Sequence, residues 1–415
     1  MKRSQFGACA LSLSLAAAWC AAASDWPQFL GPTRNAVSPE TGLLRKWPEG
    51  GPRARWSAAV QRGYGGAAVL GGKVYILDHK AGAQDIFRCF DLATGKAEWT
   101  CALETAGAFQ RHAGSRGTPA VDDRYVFGVG PFGDFYAIEK ATHKLAWRQH
   151  LLKDYGGEMP RWNVAHSPLL YRDLVVVAPQ SAKAGVVACE KATGRARWQS
   201  QPIGAMGYAS PLLANLDGTE QVVVHSGAGL IGVSARDGKI LWKYDWSCHN
   251  PIPNPVPLGQ GRFFLTNGYG SGCVAIQVVG LDDAFTVKEL FKHNQCNAQI
   301  PIPVFYQDHL YAVSNNNEMR QGLMCLALDG SVKWRTGSAP NFDRGGTLLA
   351  DSMIFQMDGA SGTLHLLDPS PSGYRELAQA KVLAAPGKQA WAPLALAEGC
   401  LLVRDHQELK CLEVK

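Results

Sequence analysis

The stretch "DLATGKAEW", Asp91 to Trp99, decides the fold. An alternating apolar run leads into it, a turn centred on Thr-Gly follows, and a basic residue opens a new strand that ends on tryptophan. Glycine supplies the positive φ that a tight hairpin turn requires. The same unit recurs as "EKATHKLAW" (139–147), "EKATGRARW" (190–198), "ARDGKILW" ending at Trp242 and "LDGSVKW" ending at Trp334. Two weaker copies end at Phe291 and Leu377, and a half-copy, "GPRARW", ends at Trp56.

These anchors lie 43, 48, 51, 44, 49, 43 and 43 residues apart. A period of roughly 40–50 residues with several short strands per unit marks a β-propeller with one four-stranded sheet per blade. No helical pattern of ten or more residues separates the strands, which argues against a βαβ solenoid. The expected fold is all-β: an eight-bladed β-propeller of four-stranded antiparallel blades. The last unit, 378–415, holds three strands, so its outer strand is expected to come from "RARW" (53–56), which closes the ring and hides two sheet edges. The expected division is a signal segment at 1–23, an N-terminal segment with the closing strand at 24–56, and the propeller at 57–415.

The first residues, "MKRSQFGACALSLSLAAAWCAAASDW", have the plan of a secretory signal. Lys2 and Arg3 precede an apolar run too short to span a membrane, and Ala21-Ala22-Ala23 offers a cleavage site. The expected location is periplasmic or extracellular, with no integral membrane segment. Trp19 before Cys20 argues against lipidation. Loss of Lys2 and Arg3 takes the formal charge from +6 to +4. That balance, without Lys/Arg blocks, argues against nucleic acid as a partner.

Of the 11 cysteines, nine lie beyond the signal. An oxidising compartment permits disulfides. Cys89 with Cys101 and Cys400 with Cys411 flank turns, and Cys248 and Cys296 occupy matching places one blade apart. Buried free thiols are the alternative. No spacing suits zinc.

"FDLATGKAEW" and "CEKATGRARW" resemble the pyrroloquinoline quinone (PQQ) β-propeller repeat, whose core is Ala-x-Asp-x-x-Thr-Gly-x-x-x-Trp. The resemblance runs from "DWPQFLGP" at Asp25 to the C-terminus, and the opening is similar to that of secreted bacterial PQQ-like propellers. It implies that Trp99, Trp147, Trp198, Trp242 and Trp334 dock blades and are structural, and that the blades ending in Phe291 and Leu377 dock less tightly. Two functional classes share the repeat: quinoprotein dehydrogenases, which hold PQQ and calcium on the axis, and the outer-membrane barrel-assembly lipoprotein, a scaffold without cofactor. Fold alone does not choose between them.

Inner strands begin after a small residue and proline, as in "SRGTPAV", "VAHSPLL", "GYASPLL", "IPNPVPL", "IPIPVFY" and "AWAPLAL", or after Gly-Gly in "GYGGAAV" and "DRGGTLL". The segments before them form the channel mouth, where a ligand is expected. A calcium–quinone centre needs carboxylates there. The mouth offers Asp343, with Glu158 further out. No adjacent cysteine pair and no C-x-x-C-H motif is present. The leading expectation is therefore a non-catalytic binding or scaffold protein, with no catalytic residue, no metal and no cofactor. The alternatives are a PQQ–calcium alcohol or sugar dehydrogenase, or a carbohydrate-binding protein or lyase.

Arg111, Arg116, Arg161, Arg344 and Lys388 outnumber Asp343 and Glu158 near the mouth, and His112, His166 and His249 would add charge at lower pH. Trp162, Tyr208, Tyr269 and Trp391 offer faces for sugar rings. The expected ligand site comprises Arg116, His166, His249, Asp343, Arg344 and Trp391, for an unidentified protein partner or a small anionic or carbohydrate ligand. If the N-terminal strand closes the ring, removal of residues up to 60 lowers the melting temperature or causes aggregation. Unchanged melting would overturn that closure.

Overall fold

The computed structural model describes residues 24–80, 83–281, 284–315 and 319–415. The signal and the Cys20 question lie outside the described residues. Eight four-stranded antiparallel sheets form the blades of a ring, with inner strands starting at Ala68, Ala120, Leu169, Leu212, Val256, Val304, Thr347 and Ala395. Each start follows one of the small-residue marks in the sequence. The eighth blade takes its outer strand from the N-terminus: Ala54–Ala59 pairs antiparallel with Glu408–Glu413. The seam is reinforced where the fully buried Arg404 of blade eight reaches Asp78 of blade one at 2.9 Å.

Adjacent blades share no continuous backbone ladder, so other groups must join them. Around the outside, the anchor tryptophans rest on the turns of the next blade. The indole N–H of Trp56 donates to Leu92 (2.7 Å), of Trp147 to Lys191 (2.8 Å), of Trp198 to Ala235 (3.1 Å) and of Trp334 to Ser370 (2.9 Å). The turn glycine lies flat under the ring; a Cβ on Gly95 would sit 2.5 Å from Trp56. Trp99 stacks on His143, which replaces that glycine in "ATHK" (5.2 Å between centroids). Trp242 packs on Phe263 of the next blade at 6.2 Å but places its N–H differently. It bonds Gln221 of its own blade (2.6 Å) and packs on Gly232. Where Phe291 lacks an indole N–H, His293 stacked beside it donates to Gly330 at 2.8 Å, so that junction regains the missing bond.

On the axis, a belt of side chains explains the small polar residue before proline. Thr118 Oγ1 accepts from Gly66 N, Ser167 Oγ from Thr118 N, Ser210 Oγ from Ser167 N and Asn254 Oδ1 from Ser210 N, all at 2.8–2.9 Å. These residues are buried, so each N–H would otherwise go unpaired. The belt crosses five blades and stops where Ile302 precedes Pro303.

The N-terminal segment does more than lead into the closing strand. It plugs the channel. Trp26 bridges Val69 of blade one, Val121 of blade two donates to Pro27, and Leu170 of blade three donates to Gln28. Val37–Ser38 then pairs parallel with Leu349 and Ala350 of blade seven. The tight path forces positive φ at Leu30, Gly31, Arg34 and Ala36. A Cβ on Gly31 would lie 2.8 Å from the buried Trp26 ring.

The nine cysteines among the described residues are free, in keeping with the free-thiol alternative. A register shift places Cys89 opposite Trp99 and Cys101 opposite Phe87, so the pair is offset. Cys411 faces Leu402, and Cys400 faces Glu413; the two thiols are diagonal neighbours that hydrogen-bond without a covalent link. Cys248 contacts His225 (3.4 Å), whereas Cys296 hydrogen-bonds Cys273.

Ser167→Ala leaves the Thr118 N–H buried and unpaired. It should cost about 1–3 kcal/mol in urea unfolding, while Ser57→Ala on the exposed closing strand should be near neutral.

Candidate functional site

The plug turns the channel into a cup. Phe29 and Leu30 form its floor, and the loops entering the inner strands form its wall, around a cavity of about 380 Å³. Tyr64, Trp162, Tyr208, Tyr269 and Trp391 present aromatic surface from five blades. Arg111, His112, Arg116 and Arg344 stand among them.

Arg116 is held without a carboxylate. Its guanidinium lies 5.6 Å from the Tyr64 ring centroid and 5.5 Å from that of Phe109. It donates to the carbonyls of Gly114 (2.8 Å) and His112 (2.6 Å). Burial draws its pKa down to about 10, which leaves it cationic at neutral pH. Arg344 stands over Trp391 at 5.3 Å and donates to Gln299 (2.8 Å) and Asp343 (3.1 Å). The other Asp343 oxygen accepts from Trp391 Nε1 at 2.9 Å. Asp343 thus braces Arg344 and Trp391 as a unit. Three guanidinium groups face one engaged carboxylate, and low-dielectric walls focus such a field on an incoming anion.

His112 lies between Trp162 and Trp391, with ring centroids 5.7 and 5.5 Å away. Burial and then the neighbouring Arg116, Arg344 and Arg111 lower its pKa, so it is neutral at pH 7. Gln389 ties the wall together. It accepts from Tyr64 Oη (2.7 Å), meets His112 Nδ1 (3.1 Å) and bonds His406 Nε2 (3.0 Å). Burial pushes Tyr64 up to about 12, so it stays a phenol.

Of the expected site residues, the structure gathers Arg116, Arg344 and Trp391 on the cup wall, with Asp343 bonded behind them. His249 sits beside the wall, edge-on to Tyr269 at 5.9 Å. His166 does not face the cup: it is fully buried, with neither ring nitrogen hydrogen-bonded among the described residues. Burial, then Arg34, draws its pKa to about 4. The expected gain of charge at His112 and His166 on mild acidification is corrected accordingly. Arg161 instead covers Trp162 (5.0 Å), and Lys388 and Glu158 are outside the lining. Sequence reasoning missed Phe29, Leu30, Tyr64, Gln299 and Gln389. The pairing of Phe-Leu with Gly-Pro in an otherwise polar leader was the available signal for the floor.

Calcium requires several oxygen ligands, commonly with more than one carboxylate. Here the neighbouring carboxylate, Asp343, is bonded through both oxygens, and no group of three His, Cys, Asp or Glu side chains converges among the described residues. The donor set does not fit a calcium-held quinone.

Residues 82–251 match a family model described as outer membrane protein assembly factor BamB. The chain has the β-propeller fold, and residues 82–251 are similar to that PQQ-repeat family. Among solved structures, BamB from Moraxella catarrhalis is 15% identical over 88% of this chain and 98% of that one, with a TM-score of 0.63. Quinohemoprotein alcohol dehydrogenase from Comamonas testosteroni is 13% identical over 94% and 80%, also at 0.63. A third, the quinohemoprotein alcohol dehydrogenase ADHIIG from Pseudomonas putida HK5, is 12% identical at 0.61. At these identities the likeness establishes the β-propeller fold. A comparison with curated proteins returned no match. No helix among the described residues is long and apolar enough to cross a membrane.

The buried histidines make stability pH-dependent. His166 and His225 both have pKa values near 4 in the folded protein, chiefly from burial, against about 6.5 unfolded. Above pH 6.5 both states are neutral there. Below it the unfolded chain takes up protons that the folded chain refuses, so stability falls between pH 6.5 and 4 and then levels off. Each site contributes roughly 3 kcal/mol to that loss. Denaturant midpoints should fall over this window, and His166→Gln should flatten the slope by one proton, whatever its stability at pH 7.

Proposed function

We propose that this PQQ-repeat propeller is a periplasmic or extracellular binding protein, without redox catalysis, that holds a small anionic ligand such as an acidic sugar in the axial cup. The observation that carries this reading is Arg116: a guanidinium fixed between two aromatic rings, satisfied by carbonyls, with its charge uncompensated and facing a cavity of ligand size. Aromatic walls supply the apolar face of a sugar with surface to stack on. Arg344, aimed by Asp343 and Gln299, supplies a second grip on a carboxylate. Loops on a rigid ring are a common place for such a site.

A second reading is favoured by the hairpin of blade five, whose paired strands Gly272–Leu281 and Ala284–His293 are the longest among the described residues. It leaves Val279, Leu281 and Leu290 exposed, Leu281 at 74%. An apolar rim of that kind suits a protein partner, in keeping with a scaffold.

Calorimetric titration of glucuronate, galacturonate and PQQ into the protein should show salt-sensitive binding. Arg116→Ala/Arg344→Ala should weaken it at least tenfold, about 1.4 kcal/mol, with melting preserved. Equal affinities in the two proteins would remove the cup as the site, and no binding by either would leave the scaffold. Saturable dye-linked oxidation of alcohols or sugars after addition of PQQ and calcium would overturn the non-catalytic assignment.

A further inference from the structure

The cup is not isolated. A second depression of about 350 Å³ opens beside it, and Tyr64 and His112 belong to the walls of both. Its other lining includes Arg62, Gln389, His406 and Gln407, with the turn at Pro386 and Gly387. The lining contains no carboxylate. Arg62 is exposed and extends the line of cations away from the axis. His406 packs edge-on against Tyr64 at 4.6 Å, and Gln389 bonds Tyr64, His112 and His406 together. The partition between the depressions is therefore a braced aromatic ridge.

The two sides of that ridge differ in chemistry. The cup side is aromatic with paired arginines, suited to a ring face and one carboxylate. The outer side is amide, imidazole and guanidinium, suited to hydroxyl groups and a second negative charge. A ligand that alternates ring faces, hydroxyls and carboxylates along its length satisfies both.

We propose that the cup and the side depression are consecutive subsites for a chain of acidic sugars, with Tyr64 and His112 under the linkage between them and Arg62 holding the carboxylate of the outer residue. This rests on the reading of the cup as an anionic-sugar site and adds the polymeric nature of the ligand. A lone acidic sugar would engage the cup and leave the outer cations unused.

Galacturonic acid and its α-1,4-linked dimer and trimer are the probes, titrated by calorimetry into the whole protein at low ionic strength. Affinity is expected to rise at least tenfold from monomer to trimer. Arg62→Glu, a change at an exposed position, should abolish that gain and leave monomer affinity within twofold. Equal binding of monomer and trimer would overturn the extended site while the cup reading stands. A gain that survives Arg62→Glu would also overturn it, since the chain would then run elsewhere. Binding of none of the three probes, with Arg116→Ala/Arg344→Ala indistinguishable from wild type for every anion tested, would end both readings. An acidic peptide that binds with the Arg62 dependence while the trimer does not would overturn the sugar assignment.

Discussion

The ring depends on how the first N–H of each inner strand is satisfied. Within a blade the ladder pairs backbone groups, but at the axis the strands of different blades diverge and the ladder ends. Proline right after this position removes one donor, and a hydroxyl or amide from the next blade accepts from another. Thr118, Ser167, Ser210 and Asn254 do this in sequence. Each bond contributes about 1 kcal/mol net. Their larger effect is geometric: they fix the spacing of neighbouring inner strands and hence the width of the throat.

The belt has an open side, and the N-terminal segment occupies it. Where blades six and seven lack the hydroxyl relay, Val37–Ser38 adds a parallel strand to blade seven. Trp26, Pro27 and Gln28 meanwhile span blades one to three, so the segment crosses the throat and places Phe29 and Leu30 on the axis. The same stretch of chain continues into the strand that closes blade eight. One segment therefore seals the floor of the cup and joins the ring, which ties the shape of the site to the integrity of the fold.

The repeat made the architecture legible because each blade reuses one turn and one docking aromatic, and both leave marks in sequence. Inner strands were legible through the residue before proline, although the hydrogen bond that selects it was not. Trp162, Tyr208 and Trp391 were identifiable as wall residues because they precede those strands, whereas Tyr269 comes from the turn between the second and third strands of blade five. The floor was not, since no period places a leader segment on the axis. His166 misled because it sits next to Ala165, which does line the cup; one residue of alternation turns a side chain from the cavity into the wall. The cysteine spacing left pairing open for a similar reason. Cys89 pairs with Trp99 and Cys101 with Phe87, and the regular ladder of blade eight pairs Cys411 with Leu402, so flanking a turn at equal distance does not put two side chains opposite each other.

Arg34 and Arg116 show how the proposed preference of the cup for anions would arise. Both lack a carboxylate partner and bond instead to carbonyls: Arg34 to Pro168 and Ser167, with Gln28 beside it, and Arg116 to Gly114 and His112. Carbonyl dipoles take most of these hydrogen bonds but leave the net charge in place. Arg34 is buried within the plug itself, over the Phe29 ring, where burial draws its pKa to about 9. Arg116 has the same bonding and a wall open to the cavity. A carboxylate ligand entering there gains attraction to a charge already desolvated by its own structure, so much of the cost of burying the cation was met in folding. The aromatic rings that hold Arg116 in place also keep bulk water from screening it. On the proposed reading, the preference of the cup for anions follows from withholding acidic residues at one place as much as from supplying basic ones.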